Sequence, residues 1–150
     1  MKNDTEVCKY SSITKEKSCG AVVFKLENKT PLFLLVKHTS GHWSFPKGHI
    51  ENKETEVETA IREIKEEVNI DVKIDKNFRE VSTYTPYEGV IKDVVFFVGK
   101  ALNDAIELQK NEVIDFIWAN FIDAKNIITY QIDVDILCKA YKYISKEHVI

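Results

Sequence analysis

The chain has 150 residues and a mass of 17.3 kDa, a size typical of one compact domain rather than two. Hydrophobic residues make up 44% of it and charged residues 30%, which excludes a disordered, fibrous or membrane-embedded chain. The net charge of -3 gives no overall attraction to nucleic acid or to an anionic membrane, so any phosphate recognition must be local.

The first part of the chain predicts a pair of strands. A polar lead over residues 1–12 precedes two apolar segments rich in β-branched and aromatic residues, 18–26 and 31–37. A polar turn over residues 27–30 separates them. A loop carrying Gly41, Pro46 and Gly48 follows, and we expect no regular structure there.

Residues 55–68 predict a helix. Thr55 followed by Glu58 is a capping-box pattern at its start, and Asn69 suits the left-handed residue that often ends a helix. Apolar residues recur at spacings of four, three and four, which predicts one buried stripe: Val57, Ile61, Ile64 and Val68.

The second half predicts three strands and two helices. The strands are residues 81–84, 90–100 and 114–118, the second of them buried on both faces. A short helical turn begins at Asp123, and residues 134–144 place their apolar side chains on one helical face. This order predicts an α+β domain with a layered α/β/α arrangement.

No linker, repeat or low-complexity tract divides the chain, so we expect one domain over residues 13–145 with a short tail over 146–150. Its three cysteines are odd in number and far apart, which argues against a disulfide framework or a zinc site. The N-terminus lacks an apolar targeting core, and no apolar stretch approaches the roughly 20 residues that span a bilayer. These features predict a reduced, cytoplasmic protein.

A cluster of glutamates on the predicted helix is the first chemical signal. Glu63, Glu66 and Glu67 stand at i, i+3 and i+4, so we expect their carboxylates on one side, opposite the apolar stripe. Like charges at this spacing destabilise a helix unless a cation lies between them, and carboxylates favour Mg²⁺ or Mn²⁺. The alternative is a solvated glutamate-rich helix face.

The spacing of residues 48–70 strengthens the metal interpretation. The pattern resembles the Nudix box, with Asn69 where that family usually has glycine, and its matching positions are Gly48, Glu54, Arg62, Glu63, Ile64, Glu66, Glu67 and Ile70. Outside the box the order of predicted strands and helices also resembles that of the family, over most of the chain. It implies the Nudix fold, an α/β/α sandwich with a mixed β-sheet between helices.

The resemblance also implies Mg²⁺-dependent hydrolysis of a phosphoanhydride, with Mn²⁺ as the other suitable cation. It implies that Glu63 and Glu67 are metal ligands and catalytic groups, with either of them as the general base. Glu66 is then a further or water-mediated ligand, and Glu112 is an acidic ligand from outside the box, or else a plain surface glutamate. Gly48, Glu54 and Arg62 have structural roles, the last two as a guanidinium–carboxylate fork.

The run from His42 to His49, HWSFPKGH, resembles the asymmetrical diadenosine tetraphosphate hydrolase branch of this family. That branch implies that His42, Lys47 and His49 contact the polyphosphate, while Trp43 belongs to the core. It also implies an adenine between two aromatic rings, for which we choose Phe96, rather than Phe97, and Tyr130. The alternative for both rings is core packing.

The function expected from these patterns is cleavage of diadenosine tetraphosphate into ATP and AMP. The alternatives are another nucleotide, such as an oxidised nucleoside triphosphate, ADP-ribose or an RNA 5′ triphosphate end, or an idle nucleotide-sensing module on the same fold. The expected partner is a small-molecule nucleotide, with no nucleic acid, membrane or obligate protein partner.

Overall fold

The computed structural model describes residues 13–109 and 111–148. Within them the sheet has seven strands, and its main path runs β3-β2-β1-β6-β5, with β4 paired to β1 and β7 paired to β2. The strands are β1 (Thr14–Glu27), β2 (Thr30–His38), β3 (Trp43–Ser44), β4 (Lys47–His49), β5 (Val72–Tyr87), β6 (Val90–Ala101) and β7 (Val113–Ala119). The helices are α1 (Glu56–Val68), α2 (Phe121–Ile127) and α3 (Gln131–His148).

Strand β1 organises the sheet because it has three neighbours. It pairs with β6 in parallel along most of its length, while β4 and then β2 pair with its other edge in antiparallel fashion. The sheet is therefore mixed, as predicted. The side chains of β1 alternate between its two faces, and both faces are buried.

Helices cover both faces of the sheet. On one face α1 packs over an apolar cluster that includes Ala21, Val23 and Ile64. On the other face α2 and α3 pack over a second cluster that includes Phe24, Phe33 and Leu137. The predicted α/β/α sandwich is confirmed. Within the described residues, no helix has the length and apolar character needed to cross a membrane.

Several predicted boundaries were wrong. Residues 43–44 and 47–49, expected to be loop, form the short strands β3 and β4 because they pair with β2 and β1. Strand β5 is much longer than the predicted segment 81–84, since its polar residues pair with β6 beyond an irregularity after Asp75. Helix α3 continues through residues 146–148, which the sequence assigned to the tail. The predicted lead over 1–12 lies outside the described residues.

Candidate active site

Three glutamates from two parts of the chain meet at one end of α1. Oxygen atoms of Glu63, Glu67 and Glu112 lie within 4.8 Å of one another. Glu63 and Glu67 belong to α1, whereas Glu112 immediately precedes β7. The main chain near Glu112 is held by a hydrogen bond of 3.1 Å from the Thr39 amide to the Glu112 carbonyl. These three residues are called the carboxylate cluster below.

The prediction that Glu63 and Glu67 lie opposite the apolar stripe of α1 was wrong. Glu63 and Glu67 are only 8% and 3% exposed and share the buried side of α1 with Ile64, while Ile61 is 41% exposed. The reason is that β4 and the segment before β7 pack over this part of the helix. The amide of Gln109, for example, donates to the carbonyl of Glu67 at 3.0 Å.

Burial dominates the electrostatics of Glu67. Neither of its carboxylate oxygens has a hydrogen-bond partner among the described residues. Burial, and then the nearby charge of Glu63, raise the pKa of Glu67 to about 8, and the positive charge of Lys47 opposes the shift. Burial also raises the pKa of Glu63, although Arg62 opposes the shift.

A bound cation would satisfy this arrangement. Buried carboxylate oxygens without donors are costly, and oxygen ligands in a small cluster suit a hard divalent ion. The neighbouring strand β4 leaves room for this cluster because residue 48 is glycine. A Cβ atom at that position would collide with the carboxylate of Glu63. A cavity of about 500 Å³ opens beside the cluster, lined by Gly48, His49, Glu51, Glu63, Glu66, Glu67, Gln109, Asn111 and Glu112.

Arg62 ties the loop before α1 to the helix. Its Nε donates to Oε2 of Glu54 at 2.6 Å, and its Nη2 donates to Oε1 of the same carboxylate at 2.9 Å. Nη2 also donates to the carbonyl of His49 at 2.9 Å, and Nη1 donates to Glu63 at 2.9 Å. The guanidinium beside it lowers the pKa of Glu54 to about 2. Arg62 thus orients one carboxylate of the cluster and fixes β4 against α1.

Glu66 has a different environment from the cluster. Its side chain is largely exposed, and its carboxylate accepts a hydrogen bond of 3.1 Å from Nη1 of Arg62. It lines the same cavity from the rim. The structure therefore brings Glu63, Glu67 and Glu112 together but leaves Glu66 outside that group.

A second cavity of about 420 Å³ lies on the other side of β4, and we call it the aromatic cavity. Its rings come from three elements: Tyr84 of β5, Phe96 of β6 and Tyr130 immediately before α3. Tyr84 and Tyr130 are 41% and 53% exposed, whereas Phe96 is 1% exposed and packs edge-on against Phe45. The full lining is His42, Ser44, Lys47, Ser82, Tyr84, Val94, Phe96, Tyr130, Ile132 and Asp133.

The sequence prediction identified two of these rings and missed the third. Phe96 and Tyr130 both line the cavity, but Phe96 forms its floor rather than an exposed surface. Phe97 faces the opposite core, as strand alternation requires. Tyr84 was not among the predicted site residues. The feature that could have indicated it is its position at the polar end of the predicted strand 81–84.

The predicted phosphate contacts of the run 42–49 divide between the two cavities. His42 and Lys47 line the aromatic cavity, while Gly48 and His49 line the cavity beside the carboxylates. His42 stacks on His38 with ring centroids 4.4 Å apart. Burial lowers the pKa of His42, and Lys47 adds to the shift. His49 is exposed, with Nε2 3.3 Å from Oε2 of Glu16.

Sequence reasoning also missed Asp133 and Ser44. Asp133 lies in the first turn of α3 and is 8% exposed. The hydroxyl of Ser44 in β3 donates to Oδ2 of Asp133 at 3.0 Å. Burial raises the pKa of Asp133, and this hydrogen bond opposes the shift. No sequence motif marks this pair, because its members are far apart in the chain.

Comparison with known proteins agrees with this geometry. A family model described as NUDIX domain matches residues 15–138. The asymmetrical bis(5′-nucleosyl)-tetraphosphatase of Sus scrofa is 32% identical over 104 residues, covering 62% of this chain and 70% of that protein. The protein of the same name from Caenorhabditis elegans is 34% identical over 120 residues, covering 76% and 86%.

Among solved structures, a binary complex of the C. elegans Ap4A hydrolase is similar, with a TM-score of 0.80 and 30% identity over 87% of this chain and 98% of that one. The family match and these similar enzymes place the chain in the hydrolase class. The chain belongs to the Nudix family, and the protein is a Nudix hydrolase.

Proposed function

We propose that this Nudix hydrolase cleaves diadenosine tetraphosphate into ATP and AMP in a reaction that depends on Mg²⁺. The observation that carries the proposal is the adjacency of the two cavities. Lys47 lines the aromatic cavity, and the next two residues of β4 line the cavity that holds the carboxylate cluster. A nucleotide whose base lies among the rings can therefore extend its phosphates toward the carboxylates.

Glu63, Glu67 and Glu112 are the proposed metal ligands, and Glu66 is proposed to assist from the cavity rim through water. Bound Mg²⁺ (or Mn²⁺) would neutralise charge on the substrate's phosphates and make the attacking water more acidic. Glu63 or Glu67 would accept the proton of that water. Arg62 and Glu54 hold α1 and β4 in register, while Gly48 leaves space for Glu63.

The substrate's charge is proposed to be matched by the cations of β4 and the loop before β3. Lys47 supplies a positive charge between the two cavities, and His42 and His49 supply ring N–H donors on either side. The overall charge of -3 attracts no polyanion, so these few groups must act locally.

The adenine is proposed to stack on Tyr84 and Tyr130, with Phe96 as the apolar floor. The two tyrosines expose much of their rings, come from the sheet and the helix layer, and line one cavity. Stacking of a base on an aromatic side chain contributes about 1 to 3 kcal/mol. The similarity to proteins named asymmetrical bis(5′-nucleosyl)-tetraphosphatase supports a dinucleotide substrate.

Product analysis by chromatography tests this proposal. Diadenosine tetraphosphate with Mg²⁺ should give equal amounts of ATP and AMP, and chelation of the metal or the change Glu67→Gln should abolish both products. Parallel reactions contain 8-oxo-dGTP, ADP-ribose or triphosphorylated RNA. If the dinucleotide stays intact while one of these is hydrolysed, the proposed substrate is wrong. If the only product is ADP, cleavage is symmetrical and the proposed position of cleavage is wrong. Silence in every reaction would refute the activity and favour an idle nucleotide sensor.

A further inference from the structure

Asp133 is a buried carboxyl group in the cavity that is proposed to receive part of a polyanion. It lines the aromatic cavity together with Tyr130 and Ser44. Its one side-chain hydrogen bond within the described residues comes from Ser44 and occupies Oδ2. An ionised carboxylate can accept about four hydrogen bonds. Oδ1 of Asp133 has no side-chain donor among the described residues and is left for a ligand in the cavity.

The position of Asp133 excludes a role in binding phosphate, since a carboxylate repels phosphate oxygens. The groups around it are instead those that would hold a base: Tyr84, Phe96 and Tyr130. A carboxylate has no proton to donate and accepts hydrogen bonds only. The edge of the base beside Asp133 must therefore present N–H groups. Adenine, the base of the proposed substrate, offers one such group, the exocyclic amino group at position 6.

Stabilisation of α3 does not explain why Asp133 is buried at the aromatic cavity. An acidic residue in the first turn of a helix interacts favourably with the helix dipole, but that effect needs no burial. Asp135, two residues further along, is exposed and instead accepts a hydrogen bond of 2.9 Å from Nε2 of Gln131. The two aspartates differ in that Asp133 lines the aromatic cavity.

We infer that Asp133 determines base specificity by accepting a hydrogen bond from the 6-amino group of the adenine that stacks on Tyr84 and Tyr130. Ser44 positions it, because the 3.0 Å hydrogen bond to Oδ2 orients the carboxylate and leaves Oδ1 for the base. The inference rests on the proposed function in that it assumes an adenine nucleotide in the aromatic cavity.

Calorimetric titration without a divalent metal tests the inference separately from catalysis. AMP is compared with purine riboside 5′-monophosphate, which lacks only the 6-amino group. The unmodified protein should bind AMP roughly ten to a hundred times more tightly, the range expected for a hydrogen bond to a charged group. This comparison needs no variant, so it stands even if a substitution prevents folding.

Asp133→Ala should weaken AMP binding until the two ligands bind alike. Asp135→Ala removes the same charge from the same helical turn outside the cavity, and it should keep the full preference for AMP. Equal affinities in the unmodified protein would overturn the inference, as would a full preference that persists in Asp133→Ala. Tighter binding of GMP than of AMP would also overturn it, because the recognised edge would then be that of guanine.

The two proposals fail in different ways. A preference for AMP that depends on Asp133 supports the inference even if diadenosine tetraphosphate is not cleaved. Cleavage to ATP and AMP by a protein that binds AMP and its deamino analogue alike leaves the proposed function in place and removes the inference.

Discussion

The two cavities on either side of β4 differ in how they are built. The carboxylate cluster draws two of its three residues from one helix, only four positions apart. The aromatic cavity draws its rings from β5, β6 and the start of α3, which are separated by many residues. The groups assigned to chemistry are thus local in sequence, whereas the groups assigned to recognition meet only in the folded chain.

The two cavities also differ in their electrostatics. Beside the carboxylates, burial and then the charges of neighbouring glutamates raise the pKa values of Glu63 and Glu67. Toward the aromatic cavity, burial and the charge of Lys47 lower the pKa values of His38 and His42. The glutamates and the histidines are thereby both biased toward their neutral forms. A cation bound at the carboxylates would favour ionised glutamates, and an anion bound near the histidines would favour protonated histidines.

The largest effect should come from Glu67→Gln. This variant removes a proposed ligand and possible base, so kcat/KM on diadenosine tetraphosphate should fall roughly 10³-fold. Affinity for AMP without metal should not change, because the aromatic cavity is intact. Glu88→Gln, at an exposed position, is the matched control. Activity within tenfold of the unmodified protein would remove Glu67 from the mechanism.

The next largest effect should come from Gly48→Ala. The added Cβ would collide with the carboxylate of Glu63, so that group or β4 must move. A displacement of about 1 Å in a catalytic group can lower the rate about 10²-fold, and steady-state kinetics would measure the loss. Gly99→Ala makes the same change in β6, where the new Cβ would meet only side-chain carbons, the nearest of them Cδ1 of Ile74 at 3.3 Å. Equal activity of Gly48→Ala and Gly99→Ala would show that catalysis does not require the close approach of residue 48 to Glu63.

Tyr84→Ala should affect binding rather than chemistry. Loss of one stacking partner should raise KM for diadenosine tetraphosphate roughly 5- to 150-fold, which corresponds to about 1 to 3 kcal/mol, while kcat stays near its original value. Tyr87→Ala is the control, because Tyr87 is exposed and does not line the cavity. A fall in kcat with unchanged KM would place Tyr84 with the chemical groups instead.

The smallest effect should be a pH-dependent loss of stability through His38. Burial, and then the charges of His42 and Lys47, lower the pKa of His38 to about 4 from its ordinary value of 6.5. Between these values the unfolded chain binds the proton and the folded chain does not. The contribution of neutral His38 is therefore present above pH 6.5 and is lost as the pH falls to about 4. The difference between the two pKa values corresponds to about 3 kcal/mol, and solvent screening around this partly exposed ring reduces the contribution to the order of 1 kcal/mol.

Denaturant unfolding at a series of pH values measures this contribution. His38→Gln should flatten the acid side of the profile, because glutamine does not titrate. The control is His49→Gln, since His49 is exposed. An identical acid loss in His38→Gln and the unmodified protein would show that His38 is not the responsible group.

The sequence predicted the sheet, the sandwich and α1 because these depend on local patterns. The capping box of Thr55 and Glu58 and the left-handed Asn69, with φ of 59°, occur where the sequence predicted them. The sequence did not predict which side chains of α1 are buried, since helical periodicity alone cannot reveal that β4 would cover Glu67. It also missed Tyr84 and Asp133, which lie in polar segments whose roles depend on packing between the sheet and α3.

The carboxylate cluster is proposed to bind the divalent cation on which turnover depends. Titration with Mn²⁺, followed by the electron paramagnetic resonance signal of the free ion, measures this binding directly. Glu67→Gln should weaken Mn²⁺ binding at least about tenfold, whereas Tyr84→Ala and Glu88→Gln should leave it unchanged. Mn²⁺ binding of equal strength in Glu67→Gln and the unmodified protein would contradict the proposal.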